Sequence, residues 1–379
     1  MIMSIPKRKF GQNGPELTIL GFGAMRLPGF RSGVIEGHME GAVQLLRRGI
    51  ELGINYLDTA QLYDAGHSEI AVGRAIRAVR DRVFISTKIL PNLVSSADHF
   101  KSLFEESSER LQTRKIDIFY FHGLYWKQFA GQFAEMGLLK AAEKLRAEGR
   151  IGLLGFSSHD QPENIGRLID TGAFDGMLVQ YNLVDEANAE VISRAGKKGM
   201  GVTIMGPVGG GRMAGTGPDF TRLVPPEFGD APALALKFVW SHPEVTCALS
   251  GMESEAVLEA NLRTAEKFTP LTPAGRAEVA ALKKQLDKLQ EIYCSGCGYC
   301  LPCAEKVNIP GIFNLLICHQ VLGAERYARD MYRLIGVLPI IPGRDASACI
   351  ECGKCEDKCP QKVHIVDQLK RSHELLTKG

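Results

Sequence analysis

Eight of the ten cysteines fall in two tight groups in the last quarter of the chain: Cys294, Cys297, Cys300 and Cys303, then Cys349, Cys352, Cys355 and Cys359. Three cysteines, each separated by two residues, can wrap three thiolates around three irons of one cubane, and the fourth ligand must come from elsewhere. In two-cluster modules it comes from the other group and is followed by proline. Cys359-Pro360 carries that mark, and Cys303, one residue closer to its triplet and followed by Ala304, is its counterpart. The spacing assigns Cys294, Cys297, Cys300 and Cys359 to one [4Fe–4S] cluster, and Cys349, Cys352, Cys355 and Cys303 to the other. Structural zinc is the plain alternative, but zinc sites use paired cysteines across a longer loop, which two trailed triplets match poorly. Cys247 sits in an apolar strand-like run and Cys318 in an apolar helix-like run, and both read as buried structural thiols.

A second set of reactive side chains stands earlier in the chain. Asp58, Lys88 and His122 each end a strand-like run, and Tyr63 follows Asp58 by five residues. Singly, such groups are most often structural hydrogen-bonding residues; together they suit one reaction. A carbonyl accepting hydride needs a proton at its oxygen. A phenol, with an ordinary pKa near about 10, donates poorly at neutral pH. A neighbouring ammonium lowers that value by favouring the phenolate. Lys88 can do so while Asp58 fixes the lysine and keeps it charged, and His122 can orient the substrate oxygen or relay the proton. Tyr63 is thus the expected general acid in reduction, and its phenolate the base in oxidation.

These groups need a scaffold that brings strand ends together. Short β-branched or aromatic runs recur at Thr18–Gly23, Ile54–Ala60, Val83–Lys88, Ile116–His122, Ile151–Ser157, Gly176–Tyr181, Gly201–Met205 and Val245–Ser250, with amphipathic helical stretches such as Leu138–Gly149 and Ala187–Lys198 between them. The repeat averages about 30 residues, the size of a βα unit. Eight units in about 250 residues predict a closed (β/α)8 TIM barrel, whose active sites lie at the C-terminal ends of the strands. An open doubly wound sheet is disfavoured, because Gly21-Phe22-Gly23-Ala24-Met25-Arg26 lacks the third glycine of a dinucleotide fingerprint. Residues flanking Asn13-Gly14-Pro15 predict a small hairpin that could plug the barrel's N-terminal end. The expected organisation is a barrel over 1–271, a connecting helix over 272–293 opened by Pro273, and a mainly α-helical ferredoxin-like domain over 294–379.

Asp58-Thr59-Ala60 with Tyr63, Thr87-Lys88 and Phe121-His122-Gly123 resemble the catalytic tetrad segments of the aldo/keto reductase superfamily. The resemblance runs from about Phe10 to Phe268; with the cysteine tail the chain is similar to the subgroup carrying a C-terminal two-cluster ferredoxin-type domain. It implies a nicotinamide site. Ser157, Ser158 and Gln180 match contacts to the carboxamide, and Gly23, Met25, Asp58 and Met205 line the same mouth. Pro207, Gly209, Gly211 and Arg212 match the loop along the pyrophosphate, where glycines permit close backbone approach. Gly251, Ser254 and Asn261 match the strand end and helix start that hold the adenosine phosphate. Ser158 stands where asparagine is more usual, and Met205 where an aromatic ring often stacks. Gly251 and Val257 occupy positions where basic residues often clamp a 2′-phosphate, and Ser250–Leu262 contains no lysine or arginine. The resemblance therefore implies NADP(H) or NAD(H) without selecting between them. Arg26–Glu36, Tyr125–Phe133 and the region after Arg212 would form substrate loops, with Arg31, Tyr125, Trp126 and Phe220 as pocket walls.

A net charge of +2 with interspersed signs argues against a broad nucleic-acid surface. The N-terminus lacks the apolar core of a signal peptide, and no apolar run approaches the roughly 20 residues of a membrane helix. The expected location is the cytoplasm, and the expected partners are a small carbonyl or alcohol and an external electron carrier, with neither nucleic acid nor membrane. Three functions remain open: an NAD(P)H-dependent carbonyl reductase with structural or redox-sensing clusters; an electron-transfer enzyme whose clusters reduce the barrel-bound substrate; and a non-catalytic redox-sensing module. Hydride moves two electrons together and a cubane passes one, a mismatch that flavin can bridge, although no flavin motif is recognisable.

Overall fold

The computed structural model describes residues 3–28, 38–183, 185–209, 224–286, 294, 298–320, 325–337, 341–359 and 361–378. The chain folds into two compact units, Met1–Pro207 with Ala235–Leu271, and Val208–Leu234 with Thr272–Gly379.

The first unit opens with an antiparallel hairpin, β1 (Lys7–Lys9) and β2 (Glu16–Thr18), as the turn residues predict. Eight parallel strands follow: β3 (Leu20–Gly23), β4 (Tyr56–Asp58), β5 (Phe84–Ile89), β6 (Ile116–Phe121), β7 (Ile151–Ser158), β8 (Gly176–Gln180), β9 (Gly201–Met205) and β10 (Cys247–Ser250). They close into a barrel in sequence order, with β10 pairing β3. Each of the eight strand-like runs thus corresponds to one barrel strand, with β5 and β7 running one residue further, to Ile89 and Ser158. Side chains alternate across a strand, and the inward set forms one cluster of Tyr56, Ile118, Tyr120, Leu178, Cys247 and Leu249 with Phe10 and Leu17. Phe10 closes the barrel from its N-terminal hairpin. A Cβ at Gly176 or Gly201 would come within 2.2 or 2.4 Å of its ring, so both strands leave space for it. Cys247 is buried, as its apolar run implies. The outward faces of β6 and β7 pack an aromatic group that includes Phe100, Phe121, Phe133 and Phe174.

Inward alternation also fixes what reaches the mouth. Asp58 lies two residues beyond Tyr56, Lys88 four beyond Phe84, His122 two beyond Tyr120, and Gln180 two beyond Leu178, all in inward phase. The fold therefore presents Asp58, Lys88, His122, Ser157, Gln180 and Met205 at the C-terminal ends of six successive strands.

In the second unit, helices span Pro273–Leu286, Ile309–Gln320, Glu325–Arg333 and Ile365–Thr377. Residues 287–293 of the expected connecting helix lie outside the described residues. The core gathers Val307, Ile312, Phe313, Tyr332, Ile365 and Leu369. The Tyr332 hydroxyl accepts from Ala346 N at 3.0 Å and pairs with His373 Nδ1 at 2.9 Å, tying the loop ahead of the second cysteine group to two helices. Among the described residues no helix is long and apolar enough to cross a membrane.

Candidate active site

The four tetrad residues meet at the barrel mouth. Lys88 Nζ donates to Asp58 Oδ1 at 2.6 Å and to Thr59 O at 2.6 Å, and lies 3.3 Å from the Tyr63 hydroxyl. Lys88 and Asp58 are both buried. Tyr63 reaches this point because the turn after it is tight: Asp64 and Ala65 adopt left-handed backbone, with φ of 51° and 52°, before Gly66 at 89° starts the helix His67–Ile76. Such backbone is strained for residues other than glycine. The His122 ring stands edge-on to Tyr63 with centroids 5.8 Å apart. Its Nδ1 is buried without a hydrogen-bond partner, the kind of orphan that awaits a ligand.

Electrostatics depart from the expectation in one respect. Burial, and then the charge of Asp58, hold the Tyr63 phenol well above its ordinary value instead of letting Lys88 lower it. The ammonium is neutralised by a carboxylate at 2.6 Å, so the phenol faces an ion pair and not a bare cation. Tyr63 is consequently protonated at neutral pH, the form that donates. His122 is pushed well below its ordinary value by burial, with Lys88 and His159 adding to the effect, so it is neutral and can both give and accept a hydrogen bond.

The nucleotide expectations divide. Ser157 Oγ accepts from Gly123 N at 2.9 Å, which leaves its own proton to donate, and Gln180 is anchored by donating to Asp185 at 2.6 Å. These two side chains on adjacent strands fit a carboxamide. Gly23 ends β3 in register with Asp58, and Met25 is half-buried in the turn that follows. Met205 takes the inward position beside Gln180. Ser158 has the outward phase: its hydroxyl is fully buried, donates to Leu124 O at 2.7 Å and accepts from Asp160 N, so it is committed within the chain. Asn261 is likewise buried and donates to Ser250 Oγ at 3.0 Å, fastening a helix to the end of β10. Ser254 caps that helix by accepting from Val257 N, and Gly251 carries the stem of Arg26 against it. Pro207 is buried, and Gly209 adopts left-handed backbone in the second unit. Gly211, Arg212, Arg31 and Phe220 lie outside the described residues. Tyr125 and Trp126 are half-buried beyond β6, with Trp126 N donating to Asp160.

Two features escaped sequence reading. His159 continues the inward alternation two residues past Ser157, and burial lowers its pKa to about 4. Ser86, one layer below Lys88, donates to Asp58 Oδ2 at 2.5 Å.

In the second unit a cavity of about 200 Å³ is lined by Cys303, Cys349, Cys352 and Cys355, together with Cys300 and apolar groups from Val307, Ile309 and Leu369. The first four are the set that the spacing assigns to one cluster, and thiols gathered on one largely apolar cavity fit a cubane's donor requirements. Cys294, Cys359 and Cys318 are half-buried against the same core, and Cys297 lies outside the described residues. Among those residues no three His, Cys, Asp or Glu side chains converge as a single metal ion requires.

Comparison with known proteins is in keeping with both sites. The aldo/keto reductase family model matches residues 19–223, and a 4Fe-4S dicluster domain model matches residues 293–364. Among curated relatives, an uncharacterized oxidoreductase of Bacillus subtilis is 29% identical over 216 residues, 55% of this chain and 66% of that protein, just under two thirds of its length. L-galactose dehydrogenase of Arabidopsis thaliana is 26% identical over 293 residues, 70% of this chain and 90% of the relative. Among solved structures, the holo form of an aldo-keto reductase from Bacillus halodurans superposes with a TM-score of 0.64 at 26% identity, covering 74% of this chain and 96% of that one. A Klebsiella pneumoniae aldo/keto reductase solved with NADP and acetate has a TM-score of 0.62 at 24% identity, over 74% of this chain and 96% of its own, a likeness of fold alone. The chain belongs to the aldo/keto reductase family and is an oxidoreductase of that type with a 4Fe-4S dicluster domain at its C-terminus.

Proposed function

We propose that this family member reduces a carbonyl compound with NAD(P)H, Tyr63 giving the proton. The observation that supports the reading most is the contact of Lys88 Nζ with both Asp58 Oδ1 and the Tyr63 hydroxyl at one buried point of the mouth. The nicotinamide, when bound, supplies hydride to the carbonyl carbon. Ser157 and Gln180 hold the carboxamide, and His122, neutral and with an unpartnered ring nitrogen, donates to the carbonyl oxygen and sets its position beside the phenol. Tyr63 passes its proton to that oxygen as negative charge develops there, yielding the alcohol and a tyrosinate. Lys88 stabilises the tyrosinate from 3.3 Å until water returns the proton. The raised phenol pKa keeps the proton on Tyr63 in the resting site, so it is the charge developing on the carbonyl oxygen that draws it off.

The same reading places two [4Fe–4S] clusters in the second unit, one on Cys303, Cys349, Cys352 and Cys355, and one on Cys294, Cys297, Cys300 and Cys359. The thiol-lined cavity supports the first of these sets. The hydride step needs no one-electron carrier, so the clusters serve a structural or redox-sensing role. The barrel domain is taken as 1–271, the connector as 272–293 and the cluster domain as 294–379.

The test is turnover of NADPH and NADH with a panel of aldehydes and ketones by anaerobically purified protein, beside Tyr63→Phe. Loss of the phenol should lower kcat by about a hundredfold or more, the usual contribution of a general acid. Turnover that survives Tyr63→Phe, or requires dithionite or reduced ferredoxin in place of nicotinamide, would overturn the reading.

A further inference from the structure

Beneath the tetrad a run of hydroxyls threads the barrel interior, among the aliphatic residues that a TIM barrel normally stacks there. Asp58 Oδ1 accepts from Lys88, and Oδ2 accepts from Ser86 Oγ at 2.5 Å. Ser86 Oγ in turn receives the Tyr56 hydroxyl at 2.8 Å. All these atoms are buried, and Tyr56 and Ser86 are completely enclosed. Buried hydroxyls find partners in any fold; what distinguishes this chain of bonds is that its direction is forced. An ionised carboxylate only accepts. Ser86 has one proton and gives it to Asp58, so in its bond with Tyr56 it accepts, and the Tyr56 proton points up the barrel. Tyr120 and Thr203, joined at 3.0 Å, complete the polar layer at the same level.

We infer that Ser86 and Tyr56 are positioning residues of the reductase site: they hold the Asp58 carboxylate in the orientation that fixes Lys88 beneath the Tyr63 phenol. The inference rests on the reading of the tetrad given above. Neither residue touches substrate or cofactor. Ser86 occupies the inward position two residues before Lys88 on β5, and Tyr56 the inward position two residues before Asp58 on β4. Ser86 acts from beside Asp58, its register partner on the neighbouring strand, and Tyr56 from one inward position lower. Without the Ser86 hydroxyl one carboxylate oxygen is left unbonded in a dry interior. The carboxylate then rotates to share its remaining bonds, and Lys88 loses its fixed place.

The experiment compares Ser86→Ala, Ser86→Thr, Tyr56→Phe and the Ser86→Ala/Tyr56→Phe pair by carbonyl-reduction kinetics and by the 15N-resolved NMR signal of the Lys88 ammonium, assigned with Lys88→Arg. Ser86→Ala should lower kcat about tenfold, the effect of one lost hydrogen bond to a charged group, with KM within about twofold, and should broaden or erase the Lys88 signal. Ser86→Thr, which keeps the hydroxyl, should restore both. Tyr56→Phe should cost a few-fold alone and nothing further in the Ser86→Ala background, since it acts through Ser86. An unchanged kcat and Lys88 signal in Ser86→Ala, or a Tyr56→Phe effect equally large in both backgrounds, overturns the inference. If Ser86→Ala does not fold, Tyr56→Phe decides it: a broadened Lys88 signal supports positioning and an unaltered one refutes it. If the unmodified protein turns over no carbonyl with NAD(P)H, the reductase reading fails, and the Lys88 signal judges the positioning separately.

Discussion

The ion pair at the centre of the site should be visible in stability as well as in rate, and the two should part company. Lys88 and Asp58 are buried with Nζ and Oδ1 2.6 Å apart. Removing one partner of a buried pair leaves an uncompensated charge and costs about 3–5 kcal/mol, whereas removing both can be close to neutral. In Asp58→Asn the ammonium keeps Thr59 O but loses its counter-charge, and in Lys88→Met the carboxylate keeps Ser86 but loses its cation. Each single variant should therefore lower barrel stability by about 3 kcal/mol, roughly 1 M in urea midpoint. The double variant should lose at least about 2 kcal/mol less than the sum, an interaction energy expected of groups in direct contact. Both tryptophans, Trp126 and Trp240, lie in the first unit, and Trp240 is fully buried with its Nε1 donating to Ile19 O. Fluorescence during urea unfolding thus follows the barrel. Activity should show no such recovery, because the double variant still lacks the cation under the phenol. Its kcat/KM should stay about a hundredfold or more below that of the parent. Additivity of the two single stability losses to within about 0.5 kcal/mol would refute the buried pair, and recovered turnover in the double variant would refute the role given to Lys88.

Acid should destabilise the barrel through its neutral histidines. Burial lowers His159 from its ordinary 6.5 to about 4. The unfolded state then binds the extra proton between those values, so stability is complete above about pH 6.5 and falls as pH drops toward 4. The span corresponds to at most about 3 kcal/mol. The urea midpoint measured across this range should fall less steeply in His159→Gln; an identical slope would remove the residue from the account. For the clusters, Cys303→Ser should reduce iron and sulfide in anaerobically purified protein by about half, while Cys318→Ser and Cys247→Ser leave them unchanged; full iron content in Cys303→Ser would refute the ligand assignment. At the barrel floor, Gly176→Ala should destabilise by about 1–3 kcal/mol, because the added carbon would lie 2.2 Å from Phe10. Thermal unfolding checks this, and an unchanged midpoint would show that the plug yields.

What could be read from the chain follows from what is periodic in it. Eight strand-like runs were legible because β-branched and aromatic residues recur at the spacing of a βα unit, and their closure followed from their number. The candidate tetrad was legible because Asp58, Lys88 and His122 end runs and Tyr63 follows one of them closely, and barrel geometry turns strand ends into neighbours. The thiol set was legible because its short, repeated spacing stands out in the chain, and Cys303, Cys349, Cys352 and Cys355 line one cavity across 45 residues of intervening chain. Phase along a strand was harder to read. Ser157 and Ser158 look equivalent as neighbours, yet one faces the mouth and the other bonds Leu124 O behind it, a difference settled only by which residue below them packs inward. Ser86 and Tyr56 show the same limit from the other side. A serine and a tyrosine inside strand-like runs carry no chemical mark of their own. They matter because strand pairing sets Ser86 beside Asp58 and because a carboxylate can accept but not donate. The sign of the Tyr63 shift was missed for a related reason. A lysine beside a phenol lowers its pKa, but a lysine already held by a carboxylate at 2.6 Å presents almost no net charge, and burial then decides the direction. In the proposed site the four groups form a linked set in which Asp58 would set how much of the Lys88 charge reaches Tyr63, and the hydroxyls beneath Asp58 would determine how firmly that share is held.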